Sequence, residues 1–151
     1  MGEATAVDEG TPADVASWLE IVREVEPLFG PMPDFGSALL RNIRRGTALC
    51  VRDPNGQVLG GALMQAPPRA VITWLAVRAS ARRQGVGQAL VAEILRRCPP
   101  SCDVLVDTFG ADNPEGRPAR RLYESFGFAE AEHLPSGPEG GSRQRYRLQR
   151  Q

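Results

Sequence analysis

Two periodicities alternate along this chain, and the join between them near residue 80 organises the rest. Residues 72–77 read ITWLAV, apolar but for Thr73 and rich in β-branched and aromatic side chains, which suits a buried strand. Val86, Leu90 and Ile94, with Val91 and Leu95 beside them, repeat at helical spacing and predict a helix ending near Arg97. Upstream, Thr11-Pro12-Ala13-Asp14 has the residue order of a helix start. Trp18, Ile21, Val22 and Val25 give that helix an apolar face, and Pro27 predicts its end. A short first strand is expected over 4–7 and a second helix over 37–44, with Leu39, Leu40 and Ile43 apolar.

Asp53-Pro54-Asn55-Gly56 predicts a hairpin turn between strands over 47–52 and 58–64. Gly60-Gly61 inside the second strand predicts a bulge or a close approach. A strand beginning at Ala70 leads into the central helix, and another is expected over 102–108. A helix opened by Pro118 and closed by Gly127 follows, then strands over 128–134 and 143–149. Hairpins imply antiparallel pairs, whereas strand–helix–strand from Ala70 onward implies a parallel pair or a crossover. The class is therefore α+β: a single mixed, mostly antiparallel sheet with helices on both faces. A length of 151 residues, with no repeat and no linker, fits one domain over 1–151.

Eighteen basic and eighteen acidic residues cancel, so no global field draws in nucleic acid or anionic membrane. Every basic residue is arginine, a usage we read as bias in a GC-rich bacterial genome. Cys50, Cys98 and Cys102 are odd in number and irregular in spacing. They read as thiols in a reducing cytoplasm, and with His133 as the sole histidine they assemble no metal site. His133 reads as a surface strand residue. Arg143, Arg145, Arg147 and Arg150 read as a solvated strand face rather than a nucleic-acid patch. No stretch is long or apolar enough to span a membrane.

The candidate chemistry starts at Arg82-Arg83-Gln84-Gly85-Val86-Gly87. A strand passing through a basic, glycine-bearing turn into a helix is suited to anions. The first helical N–H groups lack partners and carry the positive end of the dipole. The third glycine of a dinucleotide fingerprint is missing, as is the Gly-Lys-Ser/Thr ending of a P-loop. Arg-x-x-Gly-x-Gly after an apolar strand resembles instead the coenzyme A pyrophosphate loop of the GNAT superfamily of N-acetyltransferases. Ala119-x-x-Leu122-Tyr123-Glu124-x-x-Gly127-Phe128 is similar to the second signature of that family, and the two motifs stand in the family's order.

The resemblance implies a sheet splayed between its fourth and fifth strands, with acetyl coenzyme A in the gap and no metal. It implies cosubstrate contacts from Leu75, Ala76 and Val77 and from Arg82, Arg83, Gln84, Gly85, Val86, Gly87 and Gln88. It also implies that a main-chain N–H at Ala76 or Val77 stabilises the oxyanion, and that Tyr123, as general acid, meets the departing thiolate. The bland alternative for Tyr123 is a core aromatic. Many relatives carry asparagine seven residues before this tyrosine, where Gly116 stands here; Asn113 reads as a turn residue before Pro114. Thr73 and Trp74 stand where relatives often place a glutamate, which leaves the base open. Asp107 is a candidate, directly or through water, against the alternative of an exposed strand-end carboxylate. The acceptor is expected to be a small-molecule or peptide amine between the loops at 29–35 and 135–142. Asp34, Glu24 and Glu26 are candidates to attract it, and Phe35 to line its site. The alternative function is a non-catalytic acyl-coenzyme A binding module. O-acetyl transfer, a longer acyl donor and a homodimer all stay open.

Overall fold

The computed structural model describes residues 5–138 and 140–150. Its elements in chain order are β1 (Asp8–Glu9), α1 (Val15–Phe29), α2 (Phe35–Arg45), β2 (Ala48–Arg52), β3 (Val58–Gln65) and β4 (Ala70–Val77). Then come α3 (Val86–Arg97), β5 (Val104–Phe109), α4 (Arg117–Ser125), β6 (Ala129–Leu134) and β7 (Arg143–Leu148). Ala4, the start of the expected first strand, lies outside the described residues. Residues 5–7 are not strand, and β1 forms further along, where Asp8 pairs with Cys50 and Glu9 with Leu49. Helix α1 runs past Pro27 to Phe29. A proline in the last turn forfeits only one near-terminal bond, and Gly30 N still donates to Glu26 O at 2.7 Å.

The sheet order is β1-β2-β3-β4-β5-β7-β6. Neighbours are antiparallel except β4 and β5, as a strand–helix–strand connection requires. Alternation along β2 sends Ala48 and Cys50 into one core and Leu49 and Val51 into the other. Trp18, Ile21, Phe35 and Leu39 from α1 and α2 cover the first face. Leu90, Val91 and Ile94 of α3, with Tyr123 of α4, cover the second. The mixed sheet with helices on both faces is therefore present.

The β4–β5 pairing covers only Ala70–Val104, Val71–Leu105 and Ile72–Val106. Beyond these, β4 continues to Val77 against β3 alone, and β5 continues to Phe109 against β7 alone. The sheet is thus splayed between its fourth and fifth strands. The glycine pair in β3 marks close approach from both sides. A Cβ on Gly60 would lie 2.6 Å from Val86 Cγ1, at the start of α3, and one on Gly61 would lie 2.6 Å from Trp18 Cε2. These two positions let α3 and α1 sit directly on the strand beside the splay.

Gly61→Ala forces Trp18 away from the sheet. We expect a loss of about 1–3 kcal/mol, as for other overpacked core positions. Thermal unfolding followed by circular dichroism measures it, and an unchanged Tm would show that Trp18 is not confined against β3.

Candidate active site

The bend after β4 is shaped for an anion. Residues Ala79–Ala81 form a single 3-10 turn, and Glu24 ties its start to α1 by accepting from Ala79 N at 2.9 Å. Arg83 then adopts φ 65° and Gly85 φ 80°, both in the left-handed region. Gly85 is the residue that tolerates this without strain. A non-glycine at positive φ, as at Arg83, is the kind of local strain found at ligand clamps. The first hydrogen bond of α3 runs from Ala89 N to Gly85 O at 3.0 Å, so the N–H groups of Val86, Gly87 and Gln88 have no acceptor within the helix. Arg82 and Arg83 are exposed beside them, and Arg82 Nε donates to Val77 O at 3.4 Å. Gly87 serves a different purpose. Its Cβ position lies 3.1 Å from Leu122 Cδ2, so its lack of a side chain lets α4 pack on α3.

The open edge of β4 leads from this bend to a cavity of about 330 Å³. Arg78 N donates to Leu59 O at 2.7 Å, and the Ala76 carbonyl lies beside Gly60, so Ala76 and Arg78 face β3. Strand alternation then turns the main-chain groups of Leu75 and Val77 toward the splay. The engagement of Val77 O by Arg82 agrees with that direction. Of the two N–H groups proposed as oxyanion donors, the one on Val77 faces the gap and the one on Ala76 faces the neighbouring strand.

Tyr123 lines the cavity together with Ile72, Leu75, Val106 and Ala119. It is 4% exposed and, among the described residues, makes no side-chain hydrogen bond. Burial pushes its phenol well above the ordinary value, so the proton stays on the oxygen. The end of α4 fixes the ring. Phe128 N donates to Tyr123 O at 3.1 Å and Gly127 N to Glu124 O at 3.0 Å, a Schellman closure with its usual apolar contact. That contact is the Tyr123–Phe128 ring pair, 5.7 Å between centroids.

Among the described residues Asp107 is the one carboxylate lining the cavity. Both its oxygens are engaged by Arg145, at 2.8 and 3.1 Å, a partner that sequence spacing does not show. Asp34 lies outside the cavity lining, exposed at the start of α2, and Glu26 is exposed. Phe35 is buried against Trp74, at 4.8 Å between ring centroids. Phe29, Met32, Pro135 and Pro138 bring both acceptor-side loops onto the cavity wall. The sequence does not single out Phe109 and Arg143 as wall residues. Arg143 reads as part of a basic run, and only the fold sets it and Phe109 against the gap.

The basic run is largely engaged. Arg145 and Arg147 pair with Glu132, and Arg143 lies 4.8 Å over the Phe109 ring. His133 is exposed on β6. The three cysteines are free thiols, and burial raises that of Cys50 to about 11. Among the described residues no cluster of metal-ligating side chains occurs, and no helix is long and apolar enough to cross a membrane.

Comparison with known proteins agrees with this geometry. A family model described as an acetyltransferase (GNAT) domain matches residues 44–130. A search of curated proteins finds no match. Among solved structures, the chain is similar to Ard1 from Thermoplasma volcanium, at 20% identity and TM-score 0.80, covering 99% of each chain. It is similar to a GCN5-related N-acetyltransferase from Kribbella flavida, at 23% identity and TM-score 0.74, covering 97% of this chain and 98% of that one. It is also similar to a phosphinothricin acetyltransferase from Sinorhizobium meliloti in complex with AcCoA, at 20% identity and TM-score 0.72, covering 98% and 89%.

Gly116 stands where the asparagine of many relatives was expected, and packing explains the difference. A Cβ there would lie 2.7 Å from Phe109 Cγ. Asn113 instead shapes the turn, its Oδ1 accepting from Glu115 N at 3.0 Å. Arg120 Nη1 holds the same loop through Gly110 O at 2.7 Å and Asn113 O at 2.9 Å. Gly116→Asn should therefore destabilise the protein by about 1–3 kcal/mol through overpacking against Phe109. Chemical denaturation measures this, and a variant as stable as the parent would show that Phe109 yields freely.

Proposed function

The chain belongs to the GNAT acetyltransferase family and is an acyltransferase, and from that premise we propose that it moves the acetyl group of acetyl coenzyme A to a primary amine of a small molecule or peptide, by direct attack in a ternary complex. The observation that carries this reading is the continuous path from the glycine bend, along the unpaired edge of β4, to a buried tyrosine whose phenol has no hydrogen-bond partner among the described residues. The cosubstrate fits the residues present. Its diphosphate suits the main-chain N–H groups from Gln84 to Gln88 and the guanidinium groups of Arg82 and Arg83. Its amide-bearing arm suits the exposed N–H and C=O groups of Leu75 and Val77, as an added strand would.

In this reading the amine lone pair attacks the thioester carbonyl and a C–N bond forms. Charge developing on the carbonyl oxygen meets the Val77 N–H. The C–S bond then breaks and its electron pair stays on sulfur. A phenol raised above its reference value of ~10 is a weak acid toward a thiolate whose conjugate thiol sits near ~8.5. Tyr123 therefore stabilises the leaving sulfur mainly by donating a hydrogen bond. The proton lost by the amine passes to water, with Asp107 acting through the lone pairs that Arg145 leaves free. Three free thiols fit a reducing compartment, in keeping with the cytoplasm.

Calorimetric titration with coenzyme A, followed by thiol-release assays over a panel of amines, tests the proposal. Tyr123→Phe should lower kcat by about 10–100-fold with coenzyme affinity retained. Gly85→Ala should weaken coenzyme binding by about tenfold, through the left-handed strain placed on alanine. No coenzyme binding would overturn the proposal, and binding without turnover of any amine would favour a non-catalytic module. Asp107→Asn with unchanged kinetics would remove that residue from the mechanism.

A further inference from the structure

A second concavity, of about 840 Å³, opens where α2 faces the β3–β4 hairpin, and it shares Met32, Thr73 and Trp74 with the cavity in the splay. Among the described residues its charged lining is Arg41, Arg45 and Arg69, with no aspartate or glutamate. Arg41 and Arg45 lie one turn apart on α2, so they project from the same helix face. Arg69 arrives from the turn before β4. Among the described residues none of the three makes an ion pair or a side-chain hydrogen bond. Several arginines elsewhere have acidic partners: Arg52 pairs with Asp14, Arg78 with Glu20, Arg97 with Glu93 and Arg145 with Asp107. In a chain with no net charge, three unmatched guanidinium groups around one hollow concentrate positive potential there. Arg45 also complements the carboxyl end of α2, but Arg41 and Arg69 have no such local account.

Trp74 supplies an independent observation. It lines both concavities and is 8% exposed, yet its indole Nε1 is buried without an acceptor. Trp18 Nε1 is in the same state, so what Trp74 contributes is its position: it is a wall that the two concavities share.

We infer that the acceptor is an amine whose far end carries an anion, of carboxylate or phosphate type, and that Arg41, Arg45 and Arg69 hold this anion while the amine reaches past Trp74 to the thioester. The inference rests on the acetyl-transfer reading and adds its substrate class. Planar guanidinium forks suit both anions, through paired N–H···O bonds. Asp107 lines the inner cavity beside Arg143, whereas the charged residues that line the outer groove are, among the described residues, all arginine.

Calorimetry on the full chain saturated with coenzyme A reads the groove without turnover. The probes are the N-acetyl derivatives of ε-aminocaproate, of its neutral amide and of aminopentylphosphonate. We expect at least one anionic probe to bind, and Arg41→Ala or Arg69→Ala to weaken it by about tenfold or more, with coenzyme affinity unchanged. The carboxylate and phosphonate arms identify which anion is preferred. Initial rates with the corresponding free amines and with hexamethylenediamine should favour the anionic acceptors by a similar factor, and Arg69→Glu should reverse that preference toward the diamine. Neither anionic probe binding, the neutral amide binding as tightly, or the arginine variants affecting charged and neutral acceptors alike would overturn the inference while leaving acetyl transfer standing. Failure of coenzyme A itself to bind would strike the acetyl-transfer reading instead.

Discussion

The parting of β4 from β5 is the constraint on which the rest of this structure turns. A parallel ladder is slightly weaker per residue than an antiparallel one, and each of these strands keeps a long antiparallel partner on its other side. The inner ladder can therefore stop at Ile72 and Val106 without unravelling the sheet. Aromatic side chains hold the gap. Phe29, from the last turn of α1, meets Trp74 of β4 at 6.1 Å and Phe109 of β5 at 5.3 Å between ring centroids, so one side chain touches both separated strands. Trp18 and Phe35 back Trp74 from the same face, at 6.5 and 4.8 Å. Tyr123 closes the opposite face. What these rings leave between them is a cavity bounded by apolar walls and by the unpaired edge of β4.

Charge follows the same plan. The matched arginines stitch layers together. Buried Arg78 donates to Glu20, to Ser17 O and to Val58 O, tying α1 and β3 to the end of β4. Arg52 holds buried Asp14 with bonds of 2.8 and 2.6 Å and keeps that carboxyl below its ordinary range. Among the arginines that have no acidic partner among the described residues, Arg82 and Arg83 stand at the bend and Arg41, Arg45 and Arg69 line the groove. The direct attack proposed above requires two substrates to be bound together, and cationic approaches at the bend and at the groove suit that proposal.

Local chemistry made much of this legible in the sequence. The period change between residues 77 and 86, the helix start before Val15, the Asn-Gly turn and the closure at Gly127 each depend on residues within a few positions of one another, where sterics and hydrogen bonding act without help from the rest of the chain. Two such local signals in the family's order, Arg-x-x-Gly-x-Gly and the tyrosine-bearing helix, were enough to place the fold. The errors were also local. Pro27 has a strong local reading as a helix end, and it was outweighed by one surviving bond in the last turn.

What the tertiary structure alone decided is which residues meet across long separations. Asp107 reads as an unencumbered carboxylate until the β5–β7 ladder sets Arg145 opposite it. Gly116 reads as the loss of an asparagine until Phe109 is seen to need the space. The groove beside Trp74 has no local signal, because it exists only once the β3–β4 hairpin brings Arg69 alongside Arg41 and Arg45. The physical reason is the same in each case. Periodicity and turn chemistry depend on neighbours along the chain, whereas ion pairing, steric room and electric potential depend on distance through space, which folding alone defines.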